Sequence, residues 1–141
     1  VSAVQRVAQE GRVGVVVVSH SGPVAEAVAE LARGLAGLTT APVAPAGGTR
    51  DGGLGTSADL VVEAARAVDG GAGVALLVDL GSAVLTVKAL LAEDDELPAG
   101  TRLVDAPLVE GAVAAVVTAA TGADLDAVAA AAEEAYSYRK V

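Results

Sequence analysis

The chain has 141 residues, room for one domain with a substantial core; its formal charge is −9, and 53% of it is hydrophobic but only 1% aromatic. It contains one histidine and no cysteine, which removes disulfide frameworks, thiolate nucleophiles and zinc–sulfur sites. An acidic chain almost free of aromatics also lacks the basic footprint and stacking platforms of a nucleic-acid binder.

Residues 1–12 are mostly polar, without strong periodicity, and read as a frayed extension or short helix. They lack the apolar segment of a signal peptide. The run GVVVV at 14–18 predicts a strand buried on both faces, as in a parallel sheet flanked by helices. The turn Ser19-His20-Ser21-Gly22 ends it, and Pro23 suits the first turn of a following helix. Val24, Val28, Leu31, Leu35 and Leu38 recur at helical steps and are expected to face the sheet. A short strand near 42–46 holds two prolines, which restrict it to an edge.

The glycine-dense stretch 47–57 is a loop leading to a helix capped by Thr56 or Ser57, with Leu60, Val61, Ala64, Ala65 and Val68 inward. Its N–H groups could cradle a phosphate, or the loop is a plain connector. It is neither a Walker A loop nor a dinucleotide fingerprint. Residues 73–78 form a second strongly apolar strand, ending in Asp79-Leu80-Gly81-Ser82, with Ser82 expected to cap a helix bearing Val84, Val87, Leu90 and Leu91. The acidic run 93–96 reads as solvated loop, 101–105 as a short strand and 106–111 as a crossover. A helix over 112–120 is expected to bury Val113, Val116 and Val117. Asp124 caps the last helix, with Leu125, Val128 and Ala132 inward, and 136–141 is a polar tail. Alternating strands and helices predict one α/β domain over 13–135, an open, mostly parallel sheet of four to five strands with helices on both faces. No apolar run reaches bilayer-spanning length, the longest candidate being 111–123. The expected location is the cytoplasm, without membrane contact.

His20 then sits at a strand end, on the rim where open α/β sheets bind ligands. A lone histidine is also commonly a cap or a satisfied polar residue. Asp79, at another strand end, is placed either to accept a proton from one ring nitrogen, leaving the other as a nucleophile, or to cap the helix after it. A serine nucleophile beside His20 is disfavoured, because neighbours on an extended turn point apart and no Gly-x-Ser-x-Gly elbow is present. A metal site is disfavoured by the single histidine and the lack of carboxylate motifs. Phosphoryl transfer through a phosphohistidine fits what remains, and needs no cofactor.

The segments VVVSHS, AEAVAELAR, Gly55-Thr56, VDLGSAVL and APLVEGAVAAV–AATGAD occur in order over residues 13–131. Together they resemble the phosphotransferase subunit of bacterial dihydroxyacetone kinase, within the mannose-type enzyme IIA family. The resemblance implies a homodimer that takes phosphate on His20 from the phosphocarrier HPr and passes it to ADP in the kinase's nucleotide-binding subunit. It implies that Asp79 orients His20, and that Ser19, Ser21, Gly55, Thr56, Gly81 and Ser82 line the site. No HPr-like segment follows in this sequence, so phosphate is expected from a separate protein. The alternatives are a mannose-type enzyme IIA of sugar transport, with a IIB acceptor, and a phosphorylation-sensing module of the same fold.

Overall fold

A computed structural model describes residues 11–37, 41–93 and 95–141. Most of the expected extension at 1–12, the stretch 38–40 with Leu38, and Asp94 of the acidic run lie outside the described residues.

Strand β1 (Gly14–Ser19) is buried along its whole length. Its valines alternate between two cores: Val15 and Val17 enter one, Val16 and Val18 the other. That double burial is why four β-branched residues stand in a row, and each valine removed from water contributes about 1.5–3 kcal/mol. Strand β2 (Val43–Gly47) pairs in parallel on one side of β1, and β3 (Val74–Val78) pairs in parallel on the other. Strand β4 (Thr101–Val104) follows β3, giving the order β2-β1-β3-β4. The proline-bearing β2 is an edge strand, as its missing ladder donors require. The chain steps from β1 outward to β2 and then crosses to β3, so the topological switch point lies between the C-terminal ends of β1 and β3.

Helices α1 (Gly22–Ala36), α4 (Leu108–Ala120) and α5 (Leu125–Glu134) cover the Val15/Val17 face. Helices α2 (Ala58–Val68) and α3 (Gly81–Glu93) cover the other. Ser57 caps α2 and Asp124 caps α5, each side chain accepting a first-turn N–H. A 3₁₀ turn, Ala135–Ser137, follows α5.

Several inward faces differ from expectation. The buried side of α1 is Ala25, Val28, Ala29 and Ala32, while Val24, Leu31 and Leu35 are exposed. Helix α4 begins four residues earlier than expected, after Pro107, and buries Gly111, Ala112, Ala115, Val116 and Ala119; Val117 is exposed and Val113 only partly buried. One cause underlies both corrections. Alanine and glycine faces let backbones approach closely: a Cβ on Gly111 would lie 2.7 Å from Ala106 Cβ and 3.2 Å from a Leu77 methyl. Larger apolar residues are thereby left on the flanks.

In a core of alanine and valine, Leu76 and Leu77 are the largest fully buried side chains. Leu77→Ala is expected to cost about 2–5 kcal/mol, because lost transfer energy adds to a cavity that such small neighbours cannot refill. Leu85→Ala, at an exposed position, should stay within about 0.5 kcal/mol. Urea titration of the two variants measures the difference.

Candidate phosphoryl-transfer site

The ends of β1 and β3 are held together by one carboxylate. Asp79 continues the β1–β3 ladder, its N–H donating to the Val18 carbonyl at 3.1 Å, and this turns its side chain toward β1. Asp79 Oδ2 accepts the Ser19 hydroxyl at 2.9 Å and the His20 backbone N–H at 3.0 Å. Asp79 Oδ1 accepts the Leu80 N–H at 2.8 Å and lies 2.9 Å from His20 Nδ1. An ionised carboxylate only accepts, so Nδ1 carries the proton and the Nε2 lone pair points away from Asp79. Three of these four contacts reach across to Ser19 and His20. Asp79 therefore does not cap α3 with its side chain.

On the outer side of the ring, Ser82 Oγ lies 2.5 Å from Nε2. Ser82 is not the helix cap expected from sequence: α3 already starts at Gly81, and Ser82 in its first turn aims its hydroxyl at the histidine. At the start of α3 the Ala83 and Val84 N–H groups turn back to the Leu80 carbonyl at 3.0 and 3.4 Å, and a helix start favours an anion nearby.

The remaining expected residues support this pair rather than touch the ring. The Ser19 hydroxyl also accepts the Ser21 N–H at 3.1 Å, and Ser21 Oγ accepts the Val24 N–H at 3.3 Å, capping α1. The Gly55 N–H donates to the His20 carbonyl at 2.9 Å. Thr56 bridges to Gly48, with its hydroxyl buried and unpartnered. The Gly48 N–H donates to the Ser19 carbonyl at 3.1 Å, so the loop after β2 clasps the turn from the side opposite Asp79. Gly47 makes the clasp possible: a Cβ there would lie 2.5 Å from the Ser21 carbonyl oxygen and 2.7 Å from Ala25 Cβ. The glycine loop is braced internally by Thr49, Asp51 and Gly53. It props the histidine turn.

Burial pushes the Asp79 carboxyl up, but the His20 N–H, the His20 ring, the Ser19 hydroxyl and the charge of His20 act against it, and the net effect is a lowered pKa. His20 and Asp79 keep 24% and 18% of their side-chain surface, so the pair is reachable from solvent. A groove of ≈ 570 Å³ opens on the other side of Asp79, walled by Gly81, Lys88, Asp105, Pro107 and Tyr136, without His20 in its wall. Exposed apolar side chains flank the site residues along the chain: Leu54 precedes Gly55, Leu80 follows Asp79, Leu85 stands three residues beyond Ser82, and Val24 lies in the first turn of α1. Of these, only Val24 is expected from the sequence to face the sheet; Leu54 falls in the glycine loop and Leu80 in the strand-end turn, and Leu85 is assigned no inward face. Among the described residues, no three His, Asp or Glu side chains gather as a metal set, and no helix is long and apolar enough to cross a membrane.

Comparison with known proteins places this geometry. The mannose-type enzyme IIA family model, described as the phosphotransferase-system fructose IIA component, matches residues 14–129. The phosphoryl donor subunit DhaM of the phosphoenolpyruvate-dependent dihydroxyacetone kinase of Escherichia coli is 43% identical over 119 residues, 82% of this chain and 25% of that protein. The chain thus spans about a quarter of that relative's length. The corresponding subunit of dihydroxyacetone kinase 2 of Listeria innocua is 37% identical over 74% of this chain and 84% of its own. The crystal structure of a protein of unknown function, EF1359, superposes with a TM-score of 0.79 at 30% identity, covering 92% of this chain and 98% of that one.

The lowered Asp79 pKa has a thermodynamic consequence. A carboxyl with a depressed folded-state pKa stabilises the fold above its unfolded pKa, and that stability is lost as pH falls through the folded value. Asp79→Asn should therefore be less stable than the parent at pH 7, and the gap should narrow as pH is lowered through the carboxylate range. Thermal unfolding across a pH series tests this; a constant gap would detach the carboxylate charge from stability. Gly47→Ala should lower stability by about 1–3 kcal/mol through overpacking, read by chemical unfolding, and should loosen the His20 turn.

Proposed function

This chain belongs to the mannose-type enzyme IIA family of phosphotransferase-system components, and from that membership we propose that it is a phosphohistidine carrier, the phosphoryl donor unit of a phosphoenolpyruvate-dependent dihydroxyacetone kinase. The observation that carries the reading is the ring pair: Nδ1 tied to Asp79 at 2.9 Å, with Nε2 turned toward the rim. A neutral imidazole fixed by a carboxylate presents one oriented lone pair. Nε2 is thus the nucleophile.

In the first transfer, the Nε2 lone pair forms a bond to the phosphorus of phospho-HPr as the donor's N–P bond breaks, and the electron pair of that bond returns to the donor imidazole. The His20 ring becomes cationic, and the ionised Asp79 beside Nδ1 offsets that charge. The Ser82 hydroxyl, 2.5 Å from Nε2 in the free protein, must release the ring nitrogen and is then placed to donate to a phosphoryl oxygen. The start of α3 favours the same anion. In the second transfer, the phosphoryl group passes to ADP in the kinase's nucleotide-binding subunit, giving ATP. This division of labour suits a site on an open rim: both donor and acceptor arrive as protein surfaces, and Val24, Leu54, Leu80 and Leu85, which flank the site residues along the chain, offer them apolar contact.

The fructose IIA description of the family model favours a second reading, transfer to a IIB protein of sugar transport. Phosphoenolpyruvate, enzyme I and HPr together should place an acid-labile, base-stable phosphate on the chain; His20→Ala should take none, and labelling that survives in this variant would sink the mechanism. Asp79→Ala should slow phosphorylation roughly 10- to 100-fold, the equivalent of losing a charged hydrogen bond of about 1.5–3 kcal/mol. Adding either the nucleotide-binding kinase subunit with ADP or a IIB protein to the phosphorylated chain decides the acceptor: dephosphorylation by the first, with ATP formed, supports the kinase reading, and by the second alone the transport reading.

A further inference from the structure

Asp79, His20 and Ser82 form a chain of hydrogen bonds whose order carries a second chemistry. Asp79 Oδ1 takes the Nδ1 proton at 2.9 Å, so Nε2 can only accept, and the hydroxyl 2.5 Å from it is that of Ser82. The Ser82 O–H therefore donates to a ring whose tautomer a carboxylate fixes. In that relation a histidine takes a serine's proton and makes the oxygen nucleophilic. Ser19 and Ser21 are engaged elsewhere: the Ser19 hydroxyl is buried and donates to Asp79, and Ser21 Oγ caps α1. Ser82 reaches the ring from 62 residues further along the chain.

The surroundings of Ser82 suit an acyl group. Ser82 is exposed and stands in the turn from β3 into α3. A strand-to-helix turn of this kind presents the nucleophilic serine of α/β hydrolases, here without their Gly-x-Ser-x-Gly motif. The Ala83 and Val84 N–H groups are used on the Leu80 carbonyl, while those of Gly81 and of Ser82 itself have no partner among the described residues. A serine's own N–H together with that of a nearby glycine is the donor pair of an oxyanion hole. Space is open there, since a Cβ on Gly81 would meet nothing within 4 Å.

We propose that the free chain is a serine esterase toward small, activated carboxylic esters, with Ser82 as nucleophile, His20 as general base and Asp79 orienting the base. Ser82 Oγ bonds to the carbonyl carbon as its proton moves to Nε2, and the carbonyl oxygen takes the electron pair of the π bond. When that pair returns, the bond to the leaving alcohol breaks and the Nε2 proton goes to its oxygen. Water then attacks the acyl–Ser82 carbonyl and gives a proton to Nε2; the carboxylic acid leaves as Ser82 Oγ takes that proton back. Ser82 stands exposed, and the groove beyond Asp79 is not walled by it, so the class is short acyl groups on acidic alcohols, which depart with little help from binding energy. The inference does not depend on the proposed transfer chemistry. A phosphoryl group on Nε2 would occupy the lone pair that the serine proton needs, so it concerns the unphosphorylated ring.

Hydrolysis of p-nitrophenyl acetate by the intact chain, with peptide mass spectrometry after treatment with a fluorophosphonate, tests it. The parent should hydrolyse the ester and carry the phosphonate on Ser82, its fluoride displaced by Oγ. Ser82→Ala and His20→Ala should each lower kcat/KM by about 100-fold or more, the low end of what a positioned general base supplies, and take no label, with circular dichroism unchanged. Leu85→Ala, exposed on the same helix, should match the parent in both assays. An unlabelled parent, a label on another residue, or a folded Ser82→Ala or His20→Ala variant that keeps the parent's rate would each overturn the assignment. Survival of the rate in Ser82→Ala would make the imidazole itself the nucleophile. Phosphate uptake from phospho-HPr reads the carrier function separately on the same preparations.

Discussion

Four donors converge on the carboxylate of Asp79, and the functional end of the molecule depends on that convergence. Two come from the backbone of His20 and Leu80, one from the Ser19 hydroxyl and one from the His20 ring. Each bond to an ionised acceptor is worth more than a neutral one, and together they lock the ends of β1 and β3 in register while fixing the histidine's tautomer and aim. Partial burial would by itself disfavour the carboxylate; the hydrogen bonds reverse that and keep it ionised. The same interaction that closes the sheet's switch point therefore also orients the His20 ring.

The rest of the molecule brings those strand ends together with little bulk. Its helices turn alanine and glycine toward the sheet, which allows close approach, and among the described residues Leu76 and Leu77 are the largest fully buried side chains. Tight packing on small residues has a second consequence. Leucines and valines that a roomier core would have absorbed remain outside, next to the site residues in the chain and along α1 and α4. Uncovered apolar surface of this kind is contact area.

The glycine-rich loop takes its structural role from tertiary contacts. Read alone, 47–57 could equally cradle a phosphate or merely connect. In the fold, the Gly48 and Gly55 N–H groups donate to the Ser19 and His20 carbonyls, and the Gly53 N–H to the Thr49 and Asp51 side chains, so the loop braces the histidine turn. Gly47 makes room for the backbone of the α1 N-terminus, which occupies the space a Cβ would need.

Much was legible before any coordinates. The valine run, the proline-marked edge strand, the cap at Thr56 or Ser57, the cap Asp124 and the alternation of strands with helices determined an α/β sheet with His20 and Asp79 at strand ends, because these features depend on near neighbours in the chain. The direction in which helices face was not, since alanine gives a weak periodic signal and Val24, Leu31 and Leu35 present a stripe as regular as any core face. Nor could sequence choose between Asp79 as cap and as partner of His20, or place Ser82 on the ring rather than on the helix end. Those outcomes are set across 59 to 62 residues of chain by parallel register between β1 and β3. Only tertiary structure brings such distant groups within hydrogen-bonding distance, and there the lone histidine acquires its oriented lone pair.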